Sequence, residues 1–147
     1  MKPAYKSILT GLLILLLAVA GVVWYIFTEK FTDTAESKAD YSVDAMGFIK
    51  EFQQNDSLAN KKYTEKIISI KGTVSEIETA DTTVNIKMSD PATGDYIIFA
   101  FQQQHLPEAK KIKKGELVSI KGSCSGGIYS EILETRYISF KRAALNN

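Results

Sequence analysis

"SIKGTVS", Ser69 to Ser75, and "SIKGSCS", Ser119 to Ser125, are near copies of one another within a single chain. Stacked repeats need about three or more units to bury a core, and the segments flanking the two copies differ. They therefore read as two strands of one small domain. Ile68, Ile70, Gly72 and Val74 share one parity, as do Val118, Ile120, Gly122 and Cys124, so each copy has one dry and one wet face. Both place a glycine at an inward position, where a sharply curved sheet needs the bend that glycine permits.

The elements around these strands follow from changes of period. "SVDAMGFIKEFQQN" spaces Ala45, Phe48, Ile49 and Phe52 at i, i+3, i+4 and i+7, one face of a helix capped by Asp44 or Ser42. "SLANKKY" adds a short helical turn with Ala59 and Tyr63. A long strand from Lys66 follows, then "TVNIKM" and "YIIFAF", each alternating, joined through the turn-rich "SDPATGD". Leu106, Ala109 and Ile112 are helically spaced and end at Gly115. The fourth strand is "LVSIKGSCSGG", and a fifth runs from Ser130 to Phe140. The class is mainly β (α+β). Five strands with a helix between the third and fourth is the order of the OB-fold, a partly open Greek-key barrel. In that fold the first and fourth strands are neighbours, which puts Lys71 and Lys121 on one outer wall.

Upstream, residues 1–7 are short and basic, and Ile8 to Phe27 are twenty residues without a charge, enough to cross a hydrocarbon core of about 30 Å. Trp24 and Tyr25 suit an aromatic belt at the far end. The competing reading is a signal peptide cut after "AVA", Ala18 to Ala20; a retained single-pass anchor is preferred. Lys2 and Lys6 favour the amino terminus inside, with the C-terminal domain outside the cytoplasm, in a periplasm. Residues 28–41 are polar and read as a tether, and residues 42–141 as the OB-fold domain.

The run "KADYSVDAMGFIKEFQQNDSLANKKYTEKIISIKGTVSEIE" through "VSIKGSCSGG" resembles the tRNA_anti-like OB-fold family, small envelope proteins of Bacteroidota with an N-terminal anchor or lipoprotein signal. "NDSLANKKY", "IKGTVSEIE" and "KGSCSG" carry it most specifically. The resemblance implies the fold, an envelope location, which with the N-terminal span is read as the inner membrane with a periplasmic domain, and a family name taken from nucleic-acid-binding relatives. Members with extra cysteines near the positions of Phe99 and Arg136 suggest a disulfide that this chain, with Cys124 alone, does not share.

Residues 28–147 hold 16 basic and 17 acidic side chains, without the basic excess of a phosphate-backbone binder. In an OB-fold the usual ligand surface is the outer face of the second and third strands. Parity puts Asn85, Lys87, Tyr96 and Ile98 there, with Lys71 beside them. The preferred reading is a non-enzymatic, membrane-anchored binding module that touches an envelope protein, peptide or glycan, without cofactor or metal. A single-stranded nucleic-acid binder is the alternative. A minor reading is a cysteine hydrolase, because "GSCSG" has the letters of a nucleophile elbow; the strand pattern continues through it, and His105 reads as a helix-entry residue. "KKIKK", Lys110 to Lys114, reads as lysines favouring a helix C-terminus, and Asp90 and Asp95 as turn formers.

Overall fold

The computed structural model describes residues 3–28 and 32–146. The chain divides into two units, Met1–Thr32 and Asp33–Asn147. In the first, α1 (Pro3–Thr28) contains the expected apolar span. Its stretch Lys6–Thr28 has 23 residues and a mean hydropathy of 2.5, long and apolar enough to cross a membrane. Thr10 donates to the carbonyl of Lys6 at 2.8 Å and Thr28 donates to that of Trp24, so both hydroxyls are satisfied within the helix.

The second unit begins with β1 (Tyr41–Asp44), α2 (Ala45–Gln54) and α3 (Asp56–Tyr63). It continues through β2 (Ile67–Thr73), β3 (Glu76–Thr79), β4 (Val84–Ser89) and β5 (Tyr96–Phe101). A 3-10 turn (Gln103–His105), α4 (Leu106–Ala109), β6 (Leu117–Ser130) and β7 (Thr135–Leu145) complete it. The strands form one sheet in the order β1-β2-β6-β7-β5-β4-β3. The expected five-stranded barrel is thus a seven-stranded sheet that no ladder between its end strands closes. Two differences account for the count. The expected first strand bends at Val74 and Ser75 into β2 and β3, which take different partners, and the short β1 adds itself parallel to β2. The predicted adjacency of the two SIKG segments is present: β2 pairs antiparallel with β6, Ser69 opposite Lys121 and Lys71 opposite Ser119.

The α2 face read from the sequence is buried in full. Asp44 caps the helix by accepting the Gly47 amide at 2.8 Å, and Asn55 caps α3 by accepting the Leu58 amide at 3.0 Å. Phe48 is the hub, with ring centroids 5.1 Å from Phe52, 4.9 Å from Tyr63 and 5.7 Å from Phe140. Each such fully buried ring contributes up to about 3 kcal/mol by removal from water. The helix between the third and fourth expected strands is shorter than its apolar spacing suggests. Leu106, Ala109 and Ile112 are buried, but α4 ends at Ala109 and the chain reaches β6 through a turn in which Gly115 has φ +86°. The final strand also runs to Leu145, past the expected domain end at residue 141.

Residues 33–40 differ most from the expected tether. They pack along the sheet as a strap: Thr34 is buried, Asp33 Oδ1 lies 2.7 Å from His105 Nε2, and Asp40 Oδ2 accepts the Ile67 amide at 2.9 Å. Lys121, expected on an open wall, is buried beneath this strap. Its ammonium donates to the carbonyls of Ala35 at 2.9 Å and Ser37 at 2.8 Å. The hydrogen bond from His105 and the Ala35 amide hold the Asp33 carboxyl below its ordinary range.

The two inward glycines face different neighbours. A Cβ on Gly72 would stand 2.6 Å from Ala45 Cβ and 2.7 Å from Met88 Sδ, whereas one on Gly122 would meet Phe140 Cδ1 at 3.2 Å. Gly72 is therefore what lets the start of α2 lie against β2. Urea unfolding of Gly72→Ala is expected to show a loss of about 1–3 kcal/mol, and Gly122→Ala a smaller change. Equal losses would refute this assignment.

The strap makes a second prediction, with its sign set by Asp33. Its folded pKa lies below the unfolded value of about 3.9, so its contribution is complete above that value and is lost as pH falls through the folded one. Protease cleavage within residues 33–40 should rise on acidification, and Asp33→Asn should raise it already at neutral pH. Cleavage indifferent to both would show that the clip holds nothing.

Candidate functional site

The outer face of the sheet is assembled by register. Toward the β6–β7 turn one row runs Ile128, Tyr137, Tyr96 and Ser89 across β6, β7, β5 and β4. The next carries Ser139, Ile98, Lys87 and Glu76, and a third Ala100, Asn85 and Glu78. Four of the predicted residues, Asn85, Lys87, Tyr96 and Ile98, thus come together as parity required. Lys71 does not join them. It sits opposite Asp44 and Ser119 on the first half of the bent strand. There it lines a groove of about 450 Å³ beside the ends of β1 and β4, with Met46, Gly72, Val74, Ser89 and Pro91.

Two features of this face escaped the sequence reading. Tyr96 and Tyr137 stack with centroids 5.9 Å apart and planes 19° apart, and Ile128, 60 % exposed, prolongs the strip toward the turn. Tyr137 was legible in principle, since Ile138 and Phe140 point inward and alternate with it. The turn was not. "SEILE" continues an apolar alternation, yet Glu131–Glu134 reverse the chain, Glu134 takes φ 52°, and Ile132 is left 94 % exposed beside Leu133.

Lys87 is held in place by its neighbours. Its Nζ is 2.5 Å from Glu78 Oε1, 3.3 Å from Glu76 Oε2, and 5.3 Å from the centroid of Tyr96. The bond to Glu78 raises the lysine's pKa against the opposing effect of burial, and the same bond lowers that of Glu78. Two carboxylates therefore already neutralise the one ammonium of the strip. A phosphate brought to Lys87 would have to displace one of them.

Behind the strip an ionic knot fixes the turn before β5. Asp95, buried, accepts the backbone amide of Arg136 at 2.7 Å and the side-chain amide of Gln53 at 2.9 Å. Arg136 reaches Asp56 at the start of α3. Asp95 is therefore a structural anchor between β5, β7 and α2 as well as a turn residue.

Cys124 lies inside β6 with its side chain buried, and its backbone bonds to Glu65 and Lys66. Burial pushes its thiol up to about 11. Gly122–Gly126 continue as strand where a nucleophile elbow would turn into a helix, and His105, beyond the end of β5, is engaged by Asp33. Among the described residues no group of three or more His, Cys, Asp or Glu could hold a metal ion.

An open, curved sheet with an aromatic strip beside an apolar hairpin turn defines a binding fold of the OB type. The sequence profile of the tRNA_anti-like family matches residues 1–133, and the chain belongs to that family. Among solved structures it is similar to a "putative nucleic acid-binding lipoprotein" from Klebsiella pneumoniae, at 14 % identity and TM-score 0.56, covering 71 % of this chain and 91 % of that one. A "putative aspartyl-tRNA synthetase" from Leishmania major matches at 8 % identity and TM-score 0.46, over 80 % of this chain and 22 % of that one. No curated protein matches the sequence.

Cys124 should resist iodoacetamide at neutral pH in the native protein and react fully in urea. Rapid native alkylation would contradict its burial.

Proposed function

We propose that the protein is a non-enzymatic binding module of the cell envelope, held in the inner membrane by α1 with its folded unit in the periplasm. Its ligand lies across Tyr96, Tyr137 and Ile128. The observation that carries this reading is the pairing of Lys87 with Glu76 and Glu78 beside the tyrosine stack, which supplies flat apolar surface without free positive charge. Such a strip suits the apolar face of a sugar ring or an extended peptide better than a polyanion. The apolar turn at Ile132 and Leu133 borders the strip and occupies the place from which OB-folds commonly add contacts.

A second reading, binding of single-stranded nucleic acid, is favoured by the likeness to the "putative nucleic acid-binding lipoprotein" of Klebsiella. The two differ in their response to salt. Titration of the full chain in detergent against oligosaccharides, peptides and oligothymidylate should find a ligand among the first two. Its affinity should be nearly flat in salt and weaken about 5- to 100-fold in Tyr137→Ala or Tyr96→Ala, as expected for loss of a stacked ring. Oligothymidylate binding that falls steeply with salt and with Lys87→Ala would establish the second reading instead.

A further inference from the structure

The lysines of Lys110–Lys114 are not explained by the helix before them. α4 has four residues and ends at Ala109 with Lys110 as its C-cap, so a single helical turn offers only a small dipole for four lysines to complement. Lys110, Lys111, Lys113 and Lys114 are exposed around the buried Ile112, and none of them pairs with a carboxylate among the described residues. Elsewhere Lys62, Lys87 and Lys141 each do. The two carboxylates that flank the run are turned to other partners: Glu108 lies 3.7 Å from His105, and Glu116 accepts the backbone amide of Lys113 at 2.9 Å. Four like charges are thus kept together and unneutralised.

Their position in the fold gives this a direction. β5 and β7 run parallel, Tyr96 opposite Tyr137 and Phe101 opposite Ala143, so α4 and the lysines lie beyond the carboxyl ends of both strands. The binding strip and the Ile132 turn lie at their amino ends, roughly 25 Å away along β7. The chain enters at the lysine end, because Asp33 is fixed to His105, the residue immediately before α4. Five Cα steps separate Asp33 from Thr28, the last residue of α1, and they span about 18 Å at most.

We propose that Lys110, Lys111, Lys113 and Lys114 form a contact surface for the anionic headgroups of the bilayer that holds α1. This rests on the reading of α1 as a retained anchor. Chain length keeps Asp33 from moving more than about 18 Å from the end of α1, and clustered lysines near an anionic surface are attracted over roughly a Debye length, about 8 Å at physiological salt. The contact would supplement the anchor by orienting the folded unit, with its strip directed away from the lipid.

The test uses the full chain reconstituted into vesicles of phosphatidylcholine, with or without about one third phosphatidylglycerol, and reads acetylation of each lysine by mass spectrometry. Lys61, exposed on α3, is the internal control. The expected result is protection of Lys110–Lys114 by about fivefold or more in the anionic vesicles, abolished by 1 M salt, with Lys61 unchanged. Charge reversal at Lys111 and Lys113, which touch no core residue through their side chains in any ion pair or hydrogen bond, should remove protection of Lys110 and Lys114 as well. Equal acetylation in both vesicles, on chains that resist alkaline carbonate, would overturn the lipid contact and leave the anchor standing. Chains that carbonate extracts would overturn the anchor, and the contact with it. Protection by oligothymidylate in neutral vesicles, with none from phosphatidylglycerol, would overturn it in favour of a nucleic-acid surface.

Discussion

The fold depends on one strand being shared. Ile67–Thr79 is continuous in sequence, yet its first half pairs with β6 and β1 and its second with β4, so it occupies both the second and the last place in the order of the sheet. The curvature this demands is concentrated at Gly72–Ser75. Gly72 admits Ala45 and Met88 to the inner side of the bend, and Ser75 holds its outer side, bonding to the carbonyl of Lys87 and to the hydroxyl of Ser89 at 2.8 Å. From that bend follow the seat of α2, the departure of β4 and the groove that contains Lys71. The two SIKG segments resemble each other because they lie side by side on one curved sheet, although their glycines answer to different neighbours.

A second constraint comes from the buried ammonium of Lys121. Burying a charge is costly unless it is hydrogen-bonded, and among the described residues no carboxylate pairs with it. Two strap carbonyls accept its hydrogen bonds, which ties a polar segment without apolar periodicity to the sheet. The strap in turn covers Lys121, while Lys71 on the neighbouring strand is exposed.

Alternation of side chains made most of the strands legible, because period two survives wherever one face is buried: Val84, Ile86, Met88 and Ile97, Phe99, Phe101 all point inward as read. What the sequence concealed were features whose cause is another part of the chain. β1 is only four residues long and exists through β2; the strap is polar and is ordered by Lys121 and His105. The β6–β7 turn lacks glycine, proline and asparagine and carries apolar residues that imitate a strand. Of the ligand face, individual residues could be assigned to a side, but the neutralisation of Lys87 needed the register of β3 against β4. That register turns a lysine that looked available for phosphate into one already satisfied.

The strap also has a mechanical meaning. From Asp33 it climbs along the sheet to Asp40, whose backbone and side chain both bond to Ile67, before the chain turns back into β1 beside β2. A pull transmitted through residue 33 would therefore act along the strap's own length and strain its contacts to His105, Lys121 and Ile67 together, in shear, before any load reached the β1–β2 ladder. Motion of the chain before residue 33 would meet this short segment before it reached the curvature of the sheet or the stacked pair Tyr96 and Tyr137.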